Sequence, residues 1–128
     1  MLNLGQNQIS DINILQRVNF KELKKLDLSH NKISSINILE KVDFRDLKEL
    51  HLSYNKISSI NILEKVDFKK LNVLTLSGNK ISDIKVFRKA KFKELKTLDL
   101  SEMDIIKKGN SSTINYLELK MKELNIEL

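Results

Sequence analysis

The sequence predicts a right-handed α/β solenoid, with one parallel sheet lining the inside of an arc and short helices on its outer side. Three observations carry this. The fourteen residues NKISSINILEKVDF occupy positions 31–44 and recur letter for letter at 55–68, 24 positions on. Within that period, columns of Leu, Ile and Phe repeat at fixed offsets. Each period also holds two hydrophobic patterns, an alternating one and then a helical one, so it reads as one strand and one helical piece.

The strand comes first in each unit. KKLDLS alternates polar and apolar residues and turns Leu26 and Leu28 to one side. Leu50 and Leu52, Leu74 and Leu76, and Leu98 and Leu100 repeat the pair. Ile33, Ile57, Ile81 and Ile105 follow, then Ile12, Ile36, Ile60 and Ile84, and Phe20, Phe44, Phe68 and Phe92 close each unit. In NILEKVDF, Ile38, Leu39 and Val42 share a helical face. Asn37 and Glu40 stand at capping-box spacing, as do Asn61 and Glu64. Neither element buries its face alone, so the units must stack into one core. Parallel strands lie about 4.8 Å apart. The helical arm is wider than that, which puts the sheet on the concave side.

Asn7, Asn31, Asn55 and Asn79 mark the point where the chain leaves the strand. Backbone groups there are buried without a ladder partner, and a carboxamide supplies both donor and acceptor. These four are read as a structural ladder. Ser29, Ser53, Ser77 and Ser101 form a second column, read as small outward residues at the strand end. The line LKKLDLSHNKI fits L-x-x-L-x-L-x-x-N-x-I, and the frame runs in register from Leu2 to about Ile106. The chain thus resembles the leucine-rich repeat family, nearest to the short phosphatase-regulator-like and internalin-like repeats. The resemblance implies a horseshoe and a role in binding proteins.

The domain divides into a partial repeat at 1–22, repeats at 23–46, 47–70 and 71–94, an irregular repeat at 95–120 and a partial repeat at 121–128. Lys85 replaces the capping asparagine, Ala90 replaces the valine of the column Val18, Val42 and Val66, and Met103 replaces the ladder asparagine. The region 85–108 is therefore expected to be the least protected. Gly109 and the serines after it suggest a longer loop, then a short helix from Asn115 and Glu118, and a sixth strand at 124–126. Neither end carries a polar cap, so the chain is read as a piece of a longer protein whose bare ends could also stack on another copy.

Chemistry is sparse. With no cysteine there is no disulfide and no thiolate metal site. His30 and His51 fall in different columns, and no Gly-rich phosphate loop occurs. No cofactor, metal or small-molecule substrate is expected, and the protein is read as not an enzyme. No apolar run approaches the roughly 18 residues of a membrane span. With no visible signal peptide and no cysteine, a cytoplasmic setting is expected.

Four columns are expected to face outward from the sheet. They hold Lys25, Glu49, Val73 and Thr97; then Asp27, His51, Thr75 and Asp99; then the serines; then His30, Tyr54, Gly78 and Glu102. One lysine faces four carboxylates there, a net −3, whereas the whole chain carries +6. The basic excess lies on the turns, as Lys32, Lys56 and Lys80, and on the back, as Lys85, Arg88, Lys89, Lys91, Lys93 and Lys96. A bias towards A- and T-rich codons accounts for much of this lysine content. The expected function is a protein-interaction module whose concave contacts are Lys25, Asp27, His30, Glu49, His51, Tyr54, Thr75 and Asp99. The alternative is an anion binder for nucleic acid or acidic lipid that uses the basic segment 85–96.

Overall fold

The computed structural model describes residues 1–108, 111–123 and 125–126. Five short strands form one parallel sheet in chain order. They are β1 (Leu2–Asn3), β2 (Lys25–Asp27), β3 (Glu49–His51), β4 (Val73–Thr75) and β5 (Thr97–Asp99). The pairing follows the sequence period: Leu26 lies beside Leu50, Leu50 beside Leu74, and Leu74 beside Leu98. One residue per strand points inward, and Leu26, Leu50, Leu74 and Leu98 are all fully buried. Each contributes about 1.5–3 kcal/mol by leaving water.

The outer side is built from 3₁₀ turns, at Asn13–Arg17, Asn37–Lys41, Asn61–Glu64 and Lys85–Arg88. Ile38, Leu39 and Val42 are buried there, as are Ile62, Leu63 and Val66. A 3₁₀ turn suits pieces this short, because it closes its first hydrogen bond one residue sooner than an α-helix. Phe20, Phe44 and Phe68 stack in a spine, with centroids 5.8 and 6.4 Å apart.

The capping box expected at Asn37 and Asn61 does not form. Each asparagine is the first residue of its turn, not the residue before it. The cap comes from two positions earlier. The Asn37 N–H meets Ser35 Oγ at 3.4 Å and the Asn61 N–H meets Ser59 Oγ at 3.5 Å. The fourth turn, expected to be uncapped because of Lys85, has a better bond: the Lys85 N–H donates to Asp83 Oδ1 at 2.8 Å.

The asparagine ladder is continuous through the middle of the molecule. Asn31, Asn55 and Asn79 are buried. Their Oδ1 atoms accept the N–H of Ile9, Ile33 and Ile57 one repeat back, each at 3.0 Å. Their Nδ2 groups donate to leucine carbonyls of two repeats, Asn55 to Leu28 at 2.9 Å and Leu52 at 3.1 Å. Asn7 departs from this expectation. It is exposed and donates only to the carbonyls of Leu4 and Gly5 in its own turn.

After β5 the chain leaves the period. The main chain at Met103 starts α1 (Asp104–Lys108) by accepting the N–H groups of Ile106 and Lys107. Next comes α2 (Ser111–Glu123), where a loop and a short helix were expected. Leu117 and Met121 of α2 are buried with Leu100 and Met103, so this helix packs against the last apolar layer. The expected sixth strand is not seen at Asn125 and Ile126, and Leu124 lies outside the described residues, as do Gly109 and Asn110. The reason is visible at Met121, which sits in helix and takes the Ile126 N–H on its carbonyl.

Candidate functional site

The strand register fixes the concave surface. Lys25, Glu49, Val73 and Thr97 form one row across the sheet, and Asp27, His51, Thr75 and Asp99 the next. Every one of these side chains is half-buried.

In the centre a polar chain links four of them. Lys25 Nζ lies 2.8 Å from Glu49 Oε2, and the same oxygen lies 3.2 Å from His51 Nε2. His51 Nδ1 then reaches Thr75 Oγ1 at 3.3 Å. Lys25 foremost, and His51 second, hold the Glu49 carboxyl below the usual glutamate range. Asp27 does not bond His51. It accepts the N–H of Ser29 at 2.9 Å, and Asp99 accepts the N–H of Ser101 at 3.0 Å and its hydroxyl at 2.7 Å. Burial pushes both aspartates up. For Asp27 the Ser29 bonds and the nearby His51 and Lys25 outweigh it, and for Asp99 the bonds from the Ser101 hydroxyl and N–H do, so both end lower than usual. The two aspartates stand as fixed anions on the sheet.

The serine column is not outward throughout. Ser53 and Ser77 are buried, and Ser77 donates its hydroxyl to Ser53 Oγ at 2.9 Å. They close the strand end and leave no hydroxyl for a partner.

The fourth column has a backbone feature that hydrophobic periodicity does not reveal. Gln6, His30, Tyr54, Gly78 and Glu102 all adopt positive φ, between 55° and 65°. This left-handed kink ends each strand. It also aims the side chains along the rim, so that His30 and Tyr54 stack with centroids 4.6 Å apart and rings 15° from parallel. The other side of Tyr54 lies over Gly78, where a Cβ would fall 2.5 Å from Tyr54 Cδ1. Tyr54 is still 46% exposed, the most exposed large hydrophobic of the sheet's rim. The one available signal was Gly78 itself, a glycine in a column otherwise filled by large residues.

On the back, the basic residues from Lys85 to Lys96 are exposed, but several are engaged. Arg88 lies over the Tyr116 ring at 4.2 Å, and Lys89 sits 3.9 Å from Glu64. Phe87 is buried and Phe92 half-buried beside it, so no aromatic there is free to stack a base. Among the described residues no cluster of His, Cys, Asp and Glu could hold a metal ion. Nor is any described helix long and apolar enough to cross a membrane.

A family model for leucine rich repeats, two copies, matches residues 1–41 and 45–89, about two thirds of the chain. The chain belongs to the leucine-rich repeat family. Among solved structures, an internalin from Listeria monocytogenes matches 76% of this chain at 33% identity, with a TM-score of 0.63. Internalin C2 from the same organism matches 79% at 26% identity, with a TM-score of 0.57. The matched part spans 26% and 38% of those two chains. No curated protein matched. Leucine-rich repeat domains generally mediate protein–protein interaction and are typically not enzymes.

Proposed function

We propose that this leucine-rich repeat domain is a non-catalytic module that binds another protein through its concave sheet. The observation that carries the reading is the Tyr54 ring, held between His30 and Gly78 while nearly half exposed. An aromatic fixed in place before binding loses little rotamer entropy on contact, and residues of this kind dominate interface energies. Beside it the Lys25–Glu49–His51–Thr75 chain supplies oriented polar groups. Asp27 and Asp99 complete the surface, with Thr75 and the half-buried Val73 between them as its neutral floor.

The test compares proteins captured by the wild-type chain with those captured by two variants. Tyr54→Ala with His51→Ala should lose the specific partner, by about 2 kcal/mol or more of affinity once that partner is purified. Lys89→Glu with Lys91→Glu should retain it, changing mainly the association rate. Loss confined to the charge-reversed variant, with a steep salt dependence, would overturn this reading in favour of anion binding by the back.

A further inference from the structure

We propose that the groove between the outer edge of β5 and helix α2 takes up an extended peptide segment of another protein, which joins the sheet as its next strand. This site adjoins the concave face at Asp99 and extends from there to helix α2.

The hydrogen-bond pattern states what the edge wants. In each earlier repeat two N–H groups donate to the following strand. Those of Leu4, Leu28, Leu52 and Leu76 donate to Asp27, His51, Thr75 and Asp99, at 2.8–2.9 Å. Those of Gln6, His30, Tyr54 and Gly78 donate to the serine carbonyls, at 2.7–3.1 Å. In return, the carbonyls of Lys24, Lys48 and Asn72 each accept two N–H groups from the next repeat. The equivalents on β5 are the N–H groups of Leu100 and Glu102 and the carbonyl of Lys96. Among the described residues no strand pairs with β5 on that side.

Beside this edge lies a groove of about 510 Å³, within the range of ligand-holding clefts. Its apolar floor is Leu100, Ile106, Ile114 and Leu117, and Asp99 and Glu118 sit on its rims. The occupant follows from the four internal strand pairs. A segment added in the same register places two apolar side chains, one residue apart, over the floor. The residue between them falls in the row of Asp99, where a lysine or arginine faces that carboxylate, with Glu118 on the same groove. The partner is therefore an extended apolar–basic–apolar segment, adding in parallel by main-chain pairing.

The probe is a blocked peptide copying residues 72–78 with Thr75→Lys, since that stretch already adds to the edge of β3 in this chain. Titration should shift the Leu100 and Glu102 amides saturably and slow their hydrogen exchange. N-methylating the probe at the two amides facing the Lys96 carbonyl should weaken it by about tenfold or more. Ile114→Glu, a change at a half-buried groove wall, should abolish the shifts, and Tyr54→Ala should leave them intact. The proposal fails if these amides do not respond up to millimolar probe, or if the methylated probe binds equally well. It fails also if the same amides shift with protein concentration alone, which would make a second copy the occupant.

Discussion

Asn55 and Asn7 hold the same place in the same repeated frame, yet only Asn55 ties repeats together. Asn55 is 6% exposed and bonds main-chain groups of Leu28, Ile33 and Leu52. Asn7 is exposed and bonds only its own turn. At the other end of the column Met103 is fully buried but has no amide to offer. A repeated sequence therefore sets position, and the neighbouring repeat decides what the residue there does.

The comparison is broken most directly by removing both carboxamides in turn. Asn55→Ala leaves the Ile33 N–H buried without its partner, while the Leu28 and Leu52 carbonyls keep Asn31 and Asn79, and should cost about 1–3 kcal/mol. Asn7→Ala should stay within about 0.5 kcal/mol of the parent. Urea melts of the two variants read this. Equal losses would mean that the ladder contributes nothing beyond one turn.

Much of the fold was legible because it is a counting property. Leu26, Leu50, Leu74 and Leu98 recur at one interval, and the sheet pairs them at that interval. The concave rows followed from the same count. What escaped the count was local backbone geometry. The positive φ at His30, Tyr54 and Glu102 follows no composition rule, since these residues rarely adopt it. The caps were misplaced because N-x-x-E is also satisfied when the asparagine is simply the first residue of a 3₁₀ turn. Helix α2 was underestimated because Met121 and Ile126 fit the strand template in a stretch where the period had already been lost at Met103.

The rim column offers a second comparison, Gly78 against Tyr54. Both have positive φ, so glycine is not needed at 78 for the backbone alone. It is needed because the Tyr54 ring occupies the space of a Cβ. Gly78→Ala should cost about 1–2 kcal/mol, part from the left-handed backbone and part from the displaced ring. In a Tyr54→Ala background the ring part should vanish, leaving a smaller loss. A double-mutant cycle measures the difference, and strict additivity would show that the ring is free to move.

The third pair is Asp83 and Ser59, which precede equivalent turns. The Asp83 cap is 2.8 Å long and carries a charge, whereas the Ser59 contact is 3.5 Å. Asp83→Ala should therefore cost about 1 kcal/mol, and Ser59→Ala less. Hydrogen exchange at residues 85–88 should quicken in the first variant more than exchange at 61–64 does in the second. The reverse order would mean that the shorter, charged cap holds its turn no better than the serine does.

The smallest effect concerns Asp27 and Asp99, two aspartates in one row with the same serine two residues on. Both are lowered, but Asp27 owes part of this to His51 and Lys25, while Asp99 relies on hydroxyl and main-chain bonds alone. A carboxylate lowered in the native state adds stability above the ordinary aspartate range. That stability is lost as pH falls through the lowered native value. His51→Ala removes one cause at Asp27 and none at Asp99. Carboxyl chemical shifts followed through an acid titration should then move the Asp27 midpoint up towards the ordinary range and leave that of Asp99 in place. The acid-dependent loss of stability should become correspondingly shallower, because less native-state lowering remains to be lost. If both midpoints move together, His51 acts on the whole sheet and not on its neighbour. If neither moves, the Ser29 bonds and Lys25 set Asp27 without His51.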